Sequence, residues 1–176
     1  MSGVCLHEGG SCGPQEGVRP DRACCLALLS TVIGHLPGGA RGTAVFLLDC
    51  CGTRPGVAVF TEVARRLRAA CPVWHRLMHC ETGEFFVVAQ GLVDGGAVLA
   101  AAARLVHAFD DALQSSNLAL CTDVAIGISC ALQNHAHAEP LLAAAESALR
   151  ESRAVARQGR RSGLTPIPPS GLFEGN

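Results

Sequence analysis

The sequence predicts an α+β chain whose core is a ferredoxin-like βαββαβ unit, a central mostly antiparallel sheet flanked by helices. Three observations lead there. An uninterrupted apolar run, Thr43 to Leu48, has the length and composition of a strand covered on both faces. Two further apolar runs are separated by a short segment containing Thr82-Gly83, a hairpin signal. Segments of helical period stand before, between and after these strands.

Taken in order, residues 1–18 mix glycines, Pro14 and polar residues without periodicity and read as a flexible N-terminal arm. Asp21 can cap a helix through Leu26, Leu29 and Ile33 that stops at Gly34, and Pro37-Gly38-Gly39 is then a loop. The strand from Thr43 ends in Asp49. A second helix is expected from about Val57 to Ala70, with Val59, Val63 and Leu67 on one face and Arg65, Arg66 and Arg68 elsewhere. Strands follow at about Val73 to His79 and Phe85 to Gln90, then a long helix from Gly95 to Ser115. Another strand lies within Leu118 to Cys130, and a last helix from Glu139 to Ala156 carries Leu141, Leu142, Ala145 and Leu149 in one stripe. From residue 160 to 176 the Gly, Arg, Ser and Pro content marks a tail or linker.

Composition narrows the function classes. The chain has 176 residues, 49% of them hydrophobic, enough for one sizeable core. A formal net charge of -1 gives no bulk attraction to nucleic acid or to anionic lipid, and no nucleic-acid partner is expected. No apolar run approaches the roughly 18 residues of a membrane span. The start has no apolar signal core, so the ten cysteines read as reduced thiols of a cytoplasmic protein, with Cys24-Cys25 and Cys50-Cys51 acting as small hydrophobes within apolar runs. There is no lysine, so every permanent cation is an arginine, which forks onto phosphate or carboxylate but does not exchange protons near neutral pH. His75 and His79 on a strand would stand about 13 Å apart, too far to share a metal. Cys5, His7 and Cys12, like His135 and His137, lack a full ligand set, and neither a P-loop nor a Gly-x-Ser-x-Gly elbow occurs.

From Arg19 to Gly159 the chain resembles a GGDEF domain. Arg19-Pro20-Asp21-Arg22 is similar to the family's opening Leu-Pro-Asn-Arg, and Leu47-Leu48-Asp49 to the strand that ends in a metal-binding aspartate. Val63-Ala64-Arg65-Arg66-Leu67 resembles the helix that follows. Counting on without a gap sets Glu81-Thr82-Gly83-Glu84-Phe85 on the signature turn, with Phe86-Val87-Val88 as the strand behind it. Val124 to Ile128 resembles Val-Ser-Ile-Gly-Val, Ala145 to Leu149 resembles Ala-Asp-x-Ala-Leu, and Arg153 stands where the family usually has a phosphate-contacting lysine.

The resemblance implies the nucleotide-cyclase palm fold and a reaction in which two GTP molecules are joined by two-metal chemistry. It also implies that the site is degenerate. Asp49 retains one metal-ligand position, but Gly83 fills the other, and Glu81 and Thr82 replace the glycines that let backbone approach phosphate. The base-reading asparagine after Asp49 is deleted, and Val57 replaces the base-reading aspartate. The inhibitory product site is lost at Pro72 and His75. The reading is a non-catalytic regulatory or protein-interaction domain in bacterial cyclic-di-GMP signalling. Its expected partner is another protein, a second copy of the chain, or another signalling domain such as a phosphodiesterase. The alternatives are a divergent diguanylate cyclase or nucleotidyl transferase using Asp49 with Glu81 or Glu84, and a GTP or cyclic-di-GMP sensor without turnover. Asp49 and Glu84 are the residual metal candidates, Arg153 and Arg157 the residual phosphate candidates, and magnesium is expected only if nucleotide binding persists. Against these stand plainer roles: turn chemistry for Glu84, backbone support for Asp49, core packing for Phe85 and a solvated helix face for the arginines.

Overall fold

Asp21 opens the first helix as its position suggests, its carboxylate accepting the Cys24 amide at 2.9 Å. The computed structural model describes residues 21–35, 42–52, 56–71, 76–80, 83–115, 122–132 and 137–162. Its elements are α1 (Arg22–Gly34), β1 (Thr43–Gly52), α2 (Val57–Ala70), β2 (Arg76–His79), β3 (Phe85–Ala89), α3 (Gly95–Ser115), β4 (Thr122–Ala131) and α4 (Ala138–Ser162). The strands lie in the order β2-β3-β1-β4, and every neighbouring pair is antiparallel. Removing α1 and α4 leaves the expected βαββαβ unit. Among the described residues no helix is long and apolar enough to cross a membrane.

Strand alternation divides the core in two. Ala44, Phe46 and Leu48 of β1 and Phe85, Val87 and Ala89 of β3 face α2 and α3, meeting Phe60, Val63, Leu67, Leu105 and Phe109. Val45 and Leu47 of β1 and Phe86 and Val88 of β3 face α1 and α4, meeting Leu29, Leu142, Ala145 and Leu149. Both sheet faces are covered, and for that reason the apolar runs are continuous rather than alternating. Phe46, Phe85, Phe86 and Phe109 are all fully buried; truncating any one to alanine would remove about 3–5 kcal/mol.

Two expected boundaries are corrected. β1 does not end at Asp49 but continues to Gly52, because β4 supplies partners along the whole extension, from Asp49↔Ala125 to Gly52↔Thr122. Cys50 and Cys51 are thus ladder residues, paired with Val124 and Asp123. α4 begins at Ala138 and runs past Ala156 to Ser162, through residues expected to begin the tail. Arginine and glutamine are good helix formers, and they carry the helix through Gly159. The expected β2 residues 73–75, the arm over 1–18 and the tail beyond Ser162 lie outside the described residues.

The α4 layer is held at an unusually short distance. A Cβ on Gly127 of β4 would stand 2.5 Å from the Leu149 amide nitrogen and closer still to the Ala145 carbonyl oxygen. Ser129 Oγ donates to the Leu141 carbonyl at 2.6 Å, and the Ile126 amide donates to Ser152 Oγ at 3.3 Å. On the outside, Arg22 of α1 reaches Glu139 and Glu146 of α4, each at 2.7 Å. Exposed as it is, this clamp adds little stability. Gly127→Ala should therefore destabilise the protein by about 3 kcal/mol through overpacking against backbone. Gly34→Ala, whose Cβ meets nothing within 4 Å, should be neutral or slightly stabilising; urea unfolding of the two variants checks the contrast.

Candidate functional site

Two carboxylates are brought together by strand register alone. β1 and β3 pair up to Leu48↔Phe85, and one step further the same register sets Asp49 beside Glu84. Both residues share the parity of Val45, Leu47, Phe86 and Val88, so both side chains face α4. Like charges directly opposite on neighbouring strands repel, and here both are mostly removed from water, with side chains 18% and 17% exposed.

A cation from α4 answers them. Continuing the buried stripe of Leu142, Ala145 and Leu149 by one helical turn leads to Arg153. Its Nε donates to Asp49 Oδ2 at 2.8 Å, and its Nη2 lies 2.7 Å from the same oxygen and 2.5 Å from Glu84 Oε1. The guanidinium thus bridges the two strands. Burial opposes its charge, but the hydrogen bond to Glu84 and the attraction of Asp49 outweigh that and raise its pKa. For Asp49 the balance is reversed. Burial lifts its pKa above the ordinary carboxylate value, Glu84 adds to the lift, and the charge and hydrogen bond of Arg153 only partly oppose it. The contact secures the cation without fully offsetting the desolvation of the Asp49 carboxylate.

The turn beneath is closed by backbone. The Cys80 amide donates to the Glu84 carbonyl at 2.7 Å, and the Gly83 amide to the Cys80 carbonyl at 3.0 Å. Gly83 adopts φ 91°, where a side chain is strained, so the glycine of Glu81-Thr82-Gly83 stands where the chain turns left-handed. Phe85 next to it is fully buried, stacked on His79 with centroids 4.6 Å apart and meeting Phe109 edge-on at 5.6 Å. His79 also lies 4.6 Å from the Phe60 ring, in an aromatic cluster rather than a metal site.

The expected site residues thus divide. Asp49, Glu84 and Arg153 meet; Arg157, one turn further along α4, is exposed, and Val57 at the start of α2 is 68% exposed. Glu81, Thr82, Pro72 and His75 lie outside the described residues. The solvated-face reading of Arg153 is corrected: the residue is a partly buried partner of both carboxylates, and its place on the buried stripe was the signal for this. A divalent ion binding these carboxylates would need about six oxygen ligands around it. Two oxygens already bonded to a guanidinium do not fit it, and among the described residues no group of three or more His, Cys, Asp and Glu could hold a metal.

An antiparallel β2-β3-β1-β4 sheet with one acidic group on β1 and another at the β2–β3 turn is the arrangement of the nucleotide-cyclase palm class. The chain belongs to the GGDEF family of cyclic-di-GMP signalling: the family model described as "Diguanylate cyclase, GGDEF domain" matches residues 47–159. Its fold is similar to that of a sensory box/GGDEF family protein from Caulobacter crescentus, at 24% identity and TM-score 0.59, covering 77% of this chain and 94% of that one. It is also similar to the diguanylate cyclase SiaD from Pseudomonas aeruginosa, solved in complex with its activator SiaC, at 16% identity and TM-score 0.57 over 82% of this chain and 56% of that one. A third likeness is to the S helix-GGDEF-EAL portion of Vibrio cholerae LapD, bound to c-di-GMP, at 14% identity and TM-score 0.55 over 89% of this chain and 37% of that one. No curated protein matches the sequence significantly.

Removing the bridging cation tests the electrostatics. Arg153→Met leaves two partly buried carboxylates facing each other and should cost about 2 kcal/mol at pH 7. Asp49, whose folded pKa burial already raises, would lose the opposing charge and hydrogen bond of Arg153 and rise further. The stability it contributes is complete below its unfolded pKa and lost as pH rises through the folded pKa, so the deficit should shrink as pH falls toward 4. Asp49→Asn removes repulsion together with one attraction and should cost less than Arg153→Met at pH 7. Urea unfolding at both pH values measures each effect.

Proposed function

We propose that the chain is a non-catalytic GGDEF domain, a regulatory or protein-interaction module of cyclic-di-GMP signalling acting in the cytoplasm without a metal cofactor. The observation that carries this reading is the guanidinium of Arg153 bonded to both Asp49 and Glu84. Those carboxylates are the residual metal candidates, and the cation between them is fixed to the chain. A nucleotide with its metal would have to displace Arg153 from two charge-assisted hydrogen bonds before binding. The sequence of the turn supports the same reading, since Glu81 and Thr82 stand where resemblance calls for glycines and Gly83 where it calls for an acid. The helix-start position held by Val57 offers no hydrogen bond to a base.

For a domain without turnover, the useful property is a surface. SiaD is described with an activator protein and LapD with an adjoining EAL domain, which makes a protein or a second signalling domain the class of partner we infer here. Self-association is a further outcome within this class.

Titration of the purified protein with GTP and magnesium in a calorimeter, followed by chromatography of the mixture, tests the reading. Neither heat of binding nor cyclic-di-GMP is expected. Product whose formation is abolished by Asp49→Ala would make the chain a divergent cyclase and defeat the proposal. Binding of GTP or cyclic-di-GMP without product would make it a nucleotide sensor instead.

A further inference from the structure

Cys25 and Cys80 are 55 residues apart in sequence, yet their sulfurs lie 3.4 Å from each other. Cys25 sits on the buried face of α1 and Cys80 at the start of the turn that carries Glu84; the residues are 4% and 6% exposed. Both belong to the core between the sheet and α1 with α4, beside Leu29 and Phe86. Both are free thiols. We propose that Cys25 and Cys80 form a dithiol site for oxidation by hydrogen peroxide, closing to a disulfide that ties the signature turn to α1.

Bond formation requires the sulfurs to approach from 3.4 Å to about 2.05 Å. The two thiols are not equivalent. Either sulfur can donate the hydrogen bond between them; with Cys80 as the donor, that bond lowers the pKa of Cys25 against the effect of burial and, together with burial, raises Cys80. In that arrangement Cys25 is the first nucleophile. Its thiolate attacks one peroxide oxygen, the O–O bond breaks, and the departing oxygen leaves as water after taking up a proton. Cys25 is then a sulfenic acid. The sulfur of Cys80 attacks the Cys25 sulfur, the S–O bond breaks, and the hydroxyl leaves as water with the Cys80 proton. Two thiols lose two electrons, and the peroxide is reduced to two waters. Burial of both sulfurs favours a reagent the size of hydrogen peroxide over a bulky disulfide.

The link would matter because Cys80 closes the turn through both its amide and its carbonyl. Oxidation fixes that backbone, and with it Glu84, against α1. This holds whether or not the domain turns nucleotide over.

Peptide mapping distinguishes the pair from the eight other cysteines. After hydrogen peroxide treatment, alkylation and tryptic digestion without reductant, residues 23–41 should be joined to residues 77–104, with the linked mass lower by two hydrogens. Because Cys24 lies on the first of these peptides, the link must persist in Cys24→Ala and vanish in Cys25→Ala. The oxidised wild type should melt several degrees higher than the reduced form, reversibly with dithiothreitol, since the bond closes a long loop in the unfolded chain. A link that disappears in Cys24→Ala, or peroxide treatment that yields only sulfinic acids or links between chains, would overturn the proposal.

Discussion

Two carboxylates brought together, one on β1 and the other on the residue just before β3, are the constraint around which one end of this molecule is arranged. The β1–β3 register cannot change to relieve them, because a one-residue slip would turn Val45, Leu47, Phe86 and Val88 out of one core and into the other. Solvent cannot relieve them fully either, since α4 covers that face. A cation must enter, and it must reach both strands. Arg153 does so with a planar group that directs separate N–H bonds to Asp49 and Glu84; an ammonium would act there as a compact point charge without that fork. That bridge joins β1, the residue after the Gly83 turn and α4 at one point.

The same bridge sets the terms for any ligand. A phosphate attracted to Arg153 competes with two carboxylates already in contact, and releasing them leaves like charges facing each other. An anion is thus opposed twice, once by lost bonds and once by restored repulsion. Partners that avoid this end of the sheet meet no such opposition.

How far the sequence could be read follows from where each determinant lies along the chain. The bounds of α2 and α3 were legible because helical period is local: Val63 and Leu67 mark one face of α2, and residues 95–115 form one alanine- and leucine-rich run, whose cap at Asp94, accepting the Ala97 amide at 2.8 Å, only the structure shows. The covered sheet was legible from the unbroken run of residues 43–48. The last four residues of β1 were not, because what keeps Asp49 to Gly52 extended is a ladder to residues 122–125, contributed by a strand far along the chain. Arg153 was recognised as a position of interest, but its partners come from two other strands, and only its spacing from Leu149 pointed inward. The meeting of Cys25 with Cys80 had no local signal, since each looks like any small residue in an apolar stretch.

Gly127 gives this arrangement a consequence beyond packing. It is the point at which α4 rests on the sheet, backbone almost against backbone, and Arg153 projects from the same helix one turn past Leu149, which Gly127 faces. The missing side chain on β4 therefore acts as a gauge for the depth of the helix, and through it for the reach of the guanidinium toward Asp49 and Glu84. Lifting α4 by the thickness of one methyl group would stretch bonds whose donors and acceptors carry charge, at a position where no charged residue had been altered. The tolerance of the charged triad is set on the neighbouring strand by a residue with nothing to titrate.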